Sequence, residues 1–133
     1  MTDWNTTRDW LASVGFAARD EALWTEALTH GSTGEARDYQ RLEFLGDRVL
    51  GLCVAEMLFA QFQAADEGEL SVRLNQLVNA DTLAEVADEL SLNDFIRTGS
   101  DVRQLRDSHR KNLRADGVES LIATIYLERG LDA

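Results

Sequence analysis

Four carboxylates stand in two short intervals of this chain. Glu43 and Asp47 lie in "RLEFLGDRVLGLCVAEMLFAQF", and Asp116 and Glu119 lie in "LRADGVESLIATIYLERG". Each pair has the three- or four-residue spacing that puts side chains on one helix face, about 40° apart for Glu43 and Asp47. Both intervals are otherwise apolar, with Leu42, Leu45, Val49, Leu52 and Phe59 on the first and Leu121, Ile122, Ile125 and Tyr126 on the second. A helix that is apolar all round is buried among others, and an unpaired carboxylate along it is costly to desolvate. An arginine, a proton or a cation must stabilise these groups. If the early turns of the two helices meet, four carboxylates converge. An all-oxygen cluster suits Mg²⁺, or Mn²⁺ as its substitute, rather than zinc. Such clusters can hold metal ions that activate water for attack on a phosphate ester. The competing reading is simpler: acids in a first helical turn oppose the macrodipole, and Asp47 pairs with Arg48 or with a basic segment further along. Spacing alone leaves both open.

The elements that must position these groups are helical. The chain has 133 residues, 44% of them hydrophobic, enough for one domain around one core. There is no proline and no run of strict alternation, whereas helical periodicity recurs almost throughout. The pattern predicts helices near Thr7–Val14 and Glu21–Leu28 and a long, buried central helix over Arg41–Phe62. Another follows in "ELSVRLNQLV", one capped by Asn79 or Asp81 runs through Leu90, and a last spans about Leu113–Arg129 with Gly130 as its stop. "THGSTGEARDY", "QAADEGEL" and "LNDFIRTGS" read as connections. No repeat or shift of composition marks a second domain, so the expectation is a single all-α helical domain.

Composition narrows the function classes. Cys53 is the sole cysteine, which excludes an internal disulfide and a cysteine-based zinc site, and its apolar neighbours predict a buried packing role. No apolar run reaches the length of a membrane span, and "MTDWNTTRDW" lacks the basic start and apolar run of a secretory signal, so a soluble cytoplasmic protein with no membrane partner is expected. The net charge of −11 argues against binding nucleic acid by bulk electrostatics. Divalent cations would neutralise part of it, however, and the basic residues are clustered. "RTGSDVRQLRDSHRKNLR" holds Arg97, Arg103, Arg106, Arg110, Lys111 and Arg114 against Asp101 and Asp107. That run is either a solvated loop or a phosphate-contacting patch. His30 and His109 have no ligand spacing, and His30 is expected to make a structural hydrogen bond. Trp10 and Trp24 are expected in the core.

Read as a whole, "QRLEFLGDRVLG" resembles the signature of the ribonuclease III family, whose members cut double-stranded RNA. "ALTHGS" before it, "DEGEL" after the central helix and "LRADGVESLIATIYLERG" near the end match further family motifs in order, so the resemblance spans about Ala27 to Gly130. It implies the all-α endonuclease fold, with Glu43, Asp47, Asp116 and Glu119 as metal-site carboxylates and Asp47 and Glu119 as the catalytic pair. It implies Glu67 as an accessory acid near the cleft, Phe44 at a homodimer interface, and Arg103, Arg106, Arg110, Lys111 and Arg114 near RNA. The implied reaction is Mg²⁺-dependent hydrolysis of duplex RNA to 5′-phosphate and 3′-hydroxyl ends in RNA processing. Two departures stand out. Gln40 occupies a position where many members have Glu, so it lines the cleft without a charge. The chain also lacks the small double-stranded-RNA-binding domain common in bacterial members, and the expectation is a nuclease domain over residues 1–133 without the family domain's final helix. The rival readings are a dimeric RNA-binding module of the same fold that does not cut, and a metal-dependent hydrolase of small phosphorylated molecules.

Overall fold

Polar residues punctuate the chain into helices, and most starts are capped by a short acceptor side chain. Asp3, Asp20, Asp66 and Asn79 each accept a hydrogen bond from the amide three residues on. They open α1 (Trp4–Ser13), α2 (Glu21–Ala27), α4 (Glu67–Val78) and α5 (Ala80–Leu90). The two long helices are α3 (Gln40–Gln61) and α6 (Asp107–Arg129). Short 3₁₀ turns lie at Gly31–Thr33 and Leu92–Asp94. This structure, a computed structural model, describes residues 3–99 and 107–133, with residues 107–109 described by backbone alone. Among the described residues there is no strand, only an isolated parallel bridge between Thr29 and Arg97.

The core forms where α1, α2 and α5 close on α6. Trp10, Leu11, Trp24, Leu92, Leu113 and Leu121 are buried there. Both tryptophans satisfy their indole N–H: Trp10 Nε1 donates to the Leu90 carbonyl and Trp24 Nε1 to Glu128 Oε1, each at 2.8 Å. Trp10 also stacks on Phe95 with centroids 4.1 Å apart. Hydrogen bonds close the α2–α3 connection on itself and hold it against the segment after α5. His30 N donates to Arg97 O at 2.9 Å, Arg97 N to Leu28 O at 2.7 Å, Tyr39 N to Thr29 O at 2.9 Å and Gly99 N to Ser32 Oγ at 2.8 Å.

α3 packs chiefly on α6, and a glycine sets how closely. A Cβ built on Gly46 would lie 1.6 Å from the Glu119 carbonyl oxygen, so the two backbones touch there and no side chain fits between them. Glycine costs about 1 kcal/mol inside a helix relative to alanine. Here the cost is offset by a crossing that brings Glu43 and Asp47 beside Asp116 and Glu119.

Three expectations need correction. α1 begins a turn earlier than predicted, because Asp3 caps it and Trp4 joins the core's edge. α6 begins at Asp107 rather than Leu113, so Asp116 sits more than two turns inside the helix, beyond the reach of its N-terminal dipole. The central helix is not buried all round. It packs on α6 and α4 but leaves Phe44, Met57 and Phe59 at 67%, 59% and 74% exposure, and Cys53 only half-buried.

Candidate metal centre

The close crossing of α3 and α6 opens, at its edge, into a recess of about 770 Å³. Its walls are Glu43, Asp47, Gln40 and Phe44 from α3, Asp116 and Glu119 from α6, and His30, Gly31, Ser32 and Tyr39 from the connection before α3. No lysine or arginine is among these lining residues. Carboxylate oxygens of Glu43, Asp116 and Glu119 all lie within 4.8 Å of one another. Ligand oxygens on an octahedral Mg²⁺ are roughly 3–4 Å apart, so small side-chain adjustments would let these three share one ion. Asp47 stands at the rim. Its side chain is 56% exposed, the Arg48 guanidinium is 3.8 Å away, and it hydrogen-bonds with Glu119.

Without a cation, burial and mutual repulsion raise the proton affinity of Glu43, Asp116 and Glu119. Burial pushes the Glu43 carboxyl up to about 7, and the Asp116 charge, its hydrogen bond and the Asp47 charge add to the rise. Burial likewise raises Glu119 to about 8, reinforced first by its hydrogen bond to Asp47 and then by the charges of Asp47, Asp116 and Glu43. Asp116 is also raised by burial, held back by hydrogen bonds from Glu43 and Tyr39 and by the His30 charge. A carboxylate cluster that is partly buried, mutually repelling and, among the described residues, lined by no lysine or arginine fits an oxygen-seeking divalent cation.

The other sequence-predicted residues are more dispersed. Gln40 is on the recess wall, its amide beside Gly31, where an added Cβ would meet its Nε2 at 2.9 Å. Glu67 opens α4, past the far end of α3, and does not line the recess. Phe44 is largely exposed, with the Arg48 guanidinium 5.6 Å over its ring. Arg103 and Arg106 lie outside the described residues, and Arg110 is exposed on α6. Lys111 Nζ lies 2.8 Å from Asp81 Oδ1 and Arg114 Nε 3.1 Å from Asp88 Oδ1, so both tie α6 to α5 rather than standing as open phosphate contacts.

Sequence reasoning missed Gly46 and Tyr39 and gave His30 a purely structural role. Gly46 had a signal: a glycine inside a long apolar helix implies a close backbone approach. His30 does make the expected hydrogen bond, its Nδ1 accepting from the Ser32 amide at 3.0 Å, but its ring also faces the recess. Tyr39 had no signal, because only the fold brings its side chain back over α6.

Residues 20–133 match the family model described as Ribonuclease-III-like. Ribonuclease 3 of Rhizobium meliloti (strain 1021) is 63% identical over 92% of this chain and 52% of its own length. Ribonuclease 3 of Agrobacterium fabrum (strain C58 / ATCC 33970) is 58% identical over the same shares. The chain therefore spans about half the length of the curated relatives it matches. Among solved structures, the nuclease domain of ribonuclease III from Campylobacter jejuni superposes with a TM-score of 0.84 at 36% identity, covering 92% of this chain and 86% of that one. That structure is described for flexibility in a region involved in dimer formation. Dicer from Pichia stipitis superposes at 0.66 and 30% identity over 86% of this chain and 49% of its own.

Proposed function

The chain belongs to the ribonuclease-III-like family, and from that premise we propose that it is a Mg²⁺-dependent endoribonuclease acting on double-stranded RNA. The observation that carries the reading is the convergence of Glu43, Asp116 and Glu119 within 4.8 Å in a recess lined, among the described residues, by no lysine or arginine. Bound Mg²⁺ supplies positive charge for a phosphoryl oxygen and acidifies water at the site. Glu43, Asp116 and Glu119 would provide its oxygen ligands. Asp47, at the rim and hydrogen-bonded to Glu119, orients that carboxylate and faces the entering substrate. Water adds to phosphorus and the 3′ oxygen leaves, giving 5′-phosphate and 3′-hydroxyl ends. Gln40 lines the cleft as a neutral hydrogen-bonding group.

We further propose that the chain works as a homodimer in which two recesses cut opposite strands. The exposure of Phe44, Leu52 and Phe59 along one side of α3 supports a self-complementary twofold contact. A-form RNA would be read by shape and backbone, with Arg103, Arg106 and Arg110 as phosphate contacts. Lys111 and Arg114 would join them only by leaving Asp81 and Asp88. Glu67, remote from the recess of its own chain, is kept as an accessory acid for the assembled particle. The test offers duplex RNA, single-stranded RNA and nucleoside triphosphates to the protein with Mg²⁺. Cleavage confined to the duplex supports the proposal, and turnover of the triphosphates alone contradicts it. Binding of the duplex without cleavage would favour a non-cutting module.

A further inference from the structure

Tyr39 occupies an odd place. It is the residue that opens α3, where a short acceptor such as Ser or Asp normally caps the first amides, yet its side chain makes no capping bond. Local helix chemistry therefore does not explain it. The side chain is instead almost fully buried, at 4% exposure, and lies on the wall of the acidic recess. Its backbone is fixed by donation to Thr29 O at 2.9 Å. Its ring meets the His30 imidazole edge-on, with centroids 5.3 Å apart. That imidazole is itself held, since its Nδ1 accepts from the Ser32 amide at 3.0 Å and lies 2.7 Å from Ser32 Oγ. The phenol hydroxyl hydrogen-bonds with the Asp116 carboxylate.

We infer that Tyr39, braced by His30, is a positioning residue of the recess, its hydroxyl holding one side of the Asp116 carboxylate so that the other is presented to a divalent cation. A carboxylate partnered in this way loses rotamer freedom before the cation arrives, and such outer partners typically change metal affinity by about 10- to 100-fold. The inference rests on the metal-site reading given above.

The test is Mn²⁺ binding measured by calorimetry on chelator-treated protein, comparing the parent with Tyr39→Phe, alone and in an Asp116→Asn background. The phenylalanine keeps the ring and its contact with His30, so the melting temperature is expected to hold, which separates loss of the hydroxyl from loss of fold. Tyr39→Phe is expected to weaken Mn²⁺ binding about 10-fold in the parent and to add almost nothing once Asp116 is Asn. Unchanged affinity in Tyr39→Phe, or an equal loss in both backgrounds, overturns the inference while leaving the metal site intact. Failure of the parent itself to bind Mn²⁺ overturns the metal-site reading and the inference with it.

Discussion

Two flanks of α6 carry acids and treat them in opposite ways. On the side facing α5, Asp81 and Asp88 are met by Lys111 and Arg114 at 2.8 and 3.1 Å. On the side facing α3, Glu43, Asp116 and Glu119 crowd together with no lysine or arginine, among the described residues, lining their recess. The first flank is an ordinary set of surface ion pairs, satisfied by the chain itself and worth little individually. The second is left unsatisfied by the chain and raises its own proton affinities as a result. A cluster kept in that condition, at a helix crossing that only a glycine permits, is organised around something that arrives from outside.

The largest effect that tests this contrast is on catalysis. Glu119→Ala is expected to lower Mg²⁺-dependent duplex cleavage by roughly 100-fold or more, since a metal contributes several kcal/mol to the transition state. Gel assays of the two proteins check this, and equal rates would remove Glu119 from the mechanism. Next comes Gly46→Ala. The added methyl would sit 1.6 Å from the Glu119 carbonyl, so α3 and α6 must part. A loss of about 3 kcal/mol in urea unfolding is expected, together with loss of divalent-cation binding. A variant as stable as the parent would mean that the crossing does not depend on this glycine.

A smaller effect is the pH dependence of the metal-free protein. Glu43 and Glu119 stand at about 7 and about 8 when folded, against 4.5 ordinarily, so the folded state binds protons that the unfolded chain releases. The recess therefore costs nothing below about 4.5, and stability falls as pH rises from there through about 8. Because these carboxyls are partly exposed, the chelated protein is expected to lose only a few degrees of melting temperature between pH 5 and pH 8, roughly the range these values span, and Mg²⁺ should restore them. A melting temperature that rises over the same interval would contradict the account. The smallest effect belongs to the other flank: Lys111→Ala should cost about 0.5 kcal/mol and leave cation affinity unchanged.

Much of this was legible in the sequence, for reasons that differ by residue. The acidic pairs at three and four spacing, the helical periodicity and the family motifs gave the fold class and the carboxylates that the structure brings to one recess. The start of α6 was misread because "DSHRKN" is too polar to carry an apolar stripe, although polarity does not stop a helix. The exposed side of α3 was misread because apolar content predicts burial without saying by what. Lys111 and Arg114 resembled a phosphate patch, and only tertiary packing shows that α5 supplies their acids. Tyr39 lay beyond any sequence rule, since its place on the recess wall depends on a helix that follows it by dozens of residues.

The central claim is that the α3–α6 recess is a divalent-cation site. Anomalous diffraction from a crystal soaked in Mn²⁺ tests it most directly. The account predicts a peak roughly 2–2.3 Å from oxygens of Glu43, Asp116 and Glu119. Ordered carboxylates at this crossing with no peak among them, at Mn²⁺ concentrations that saturate activity, would contradict it.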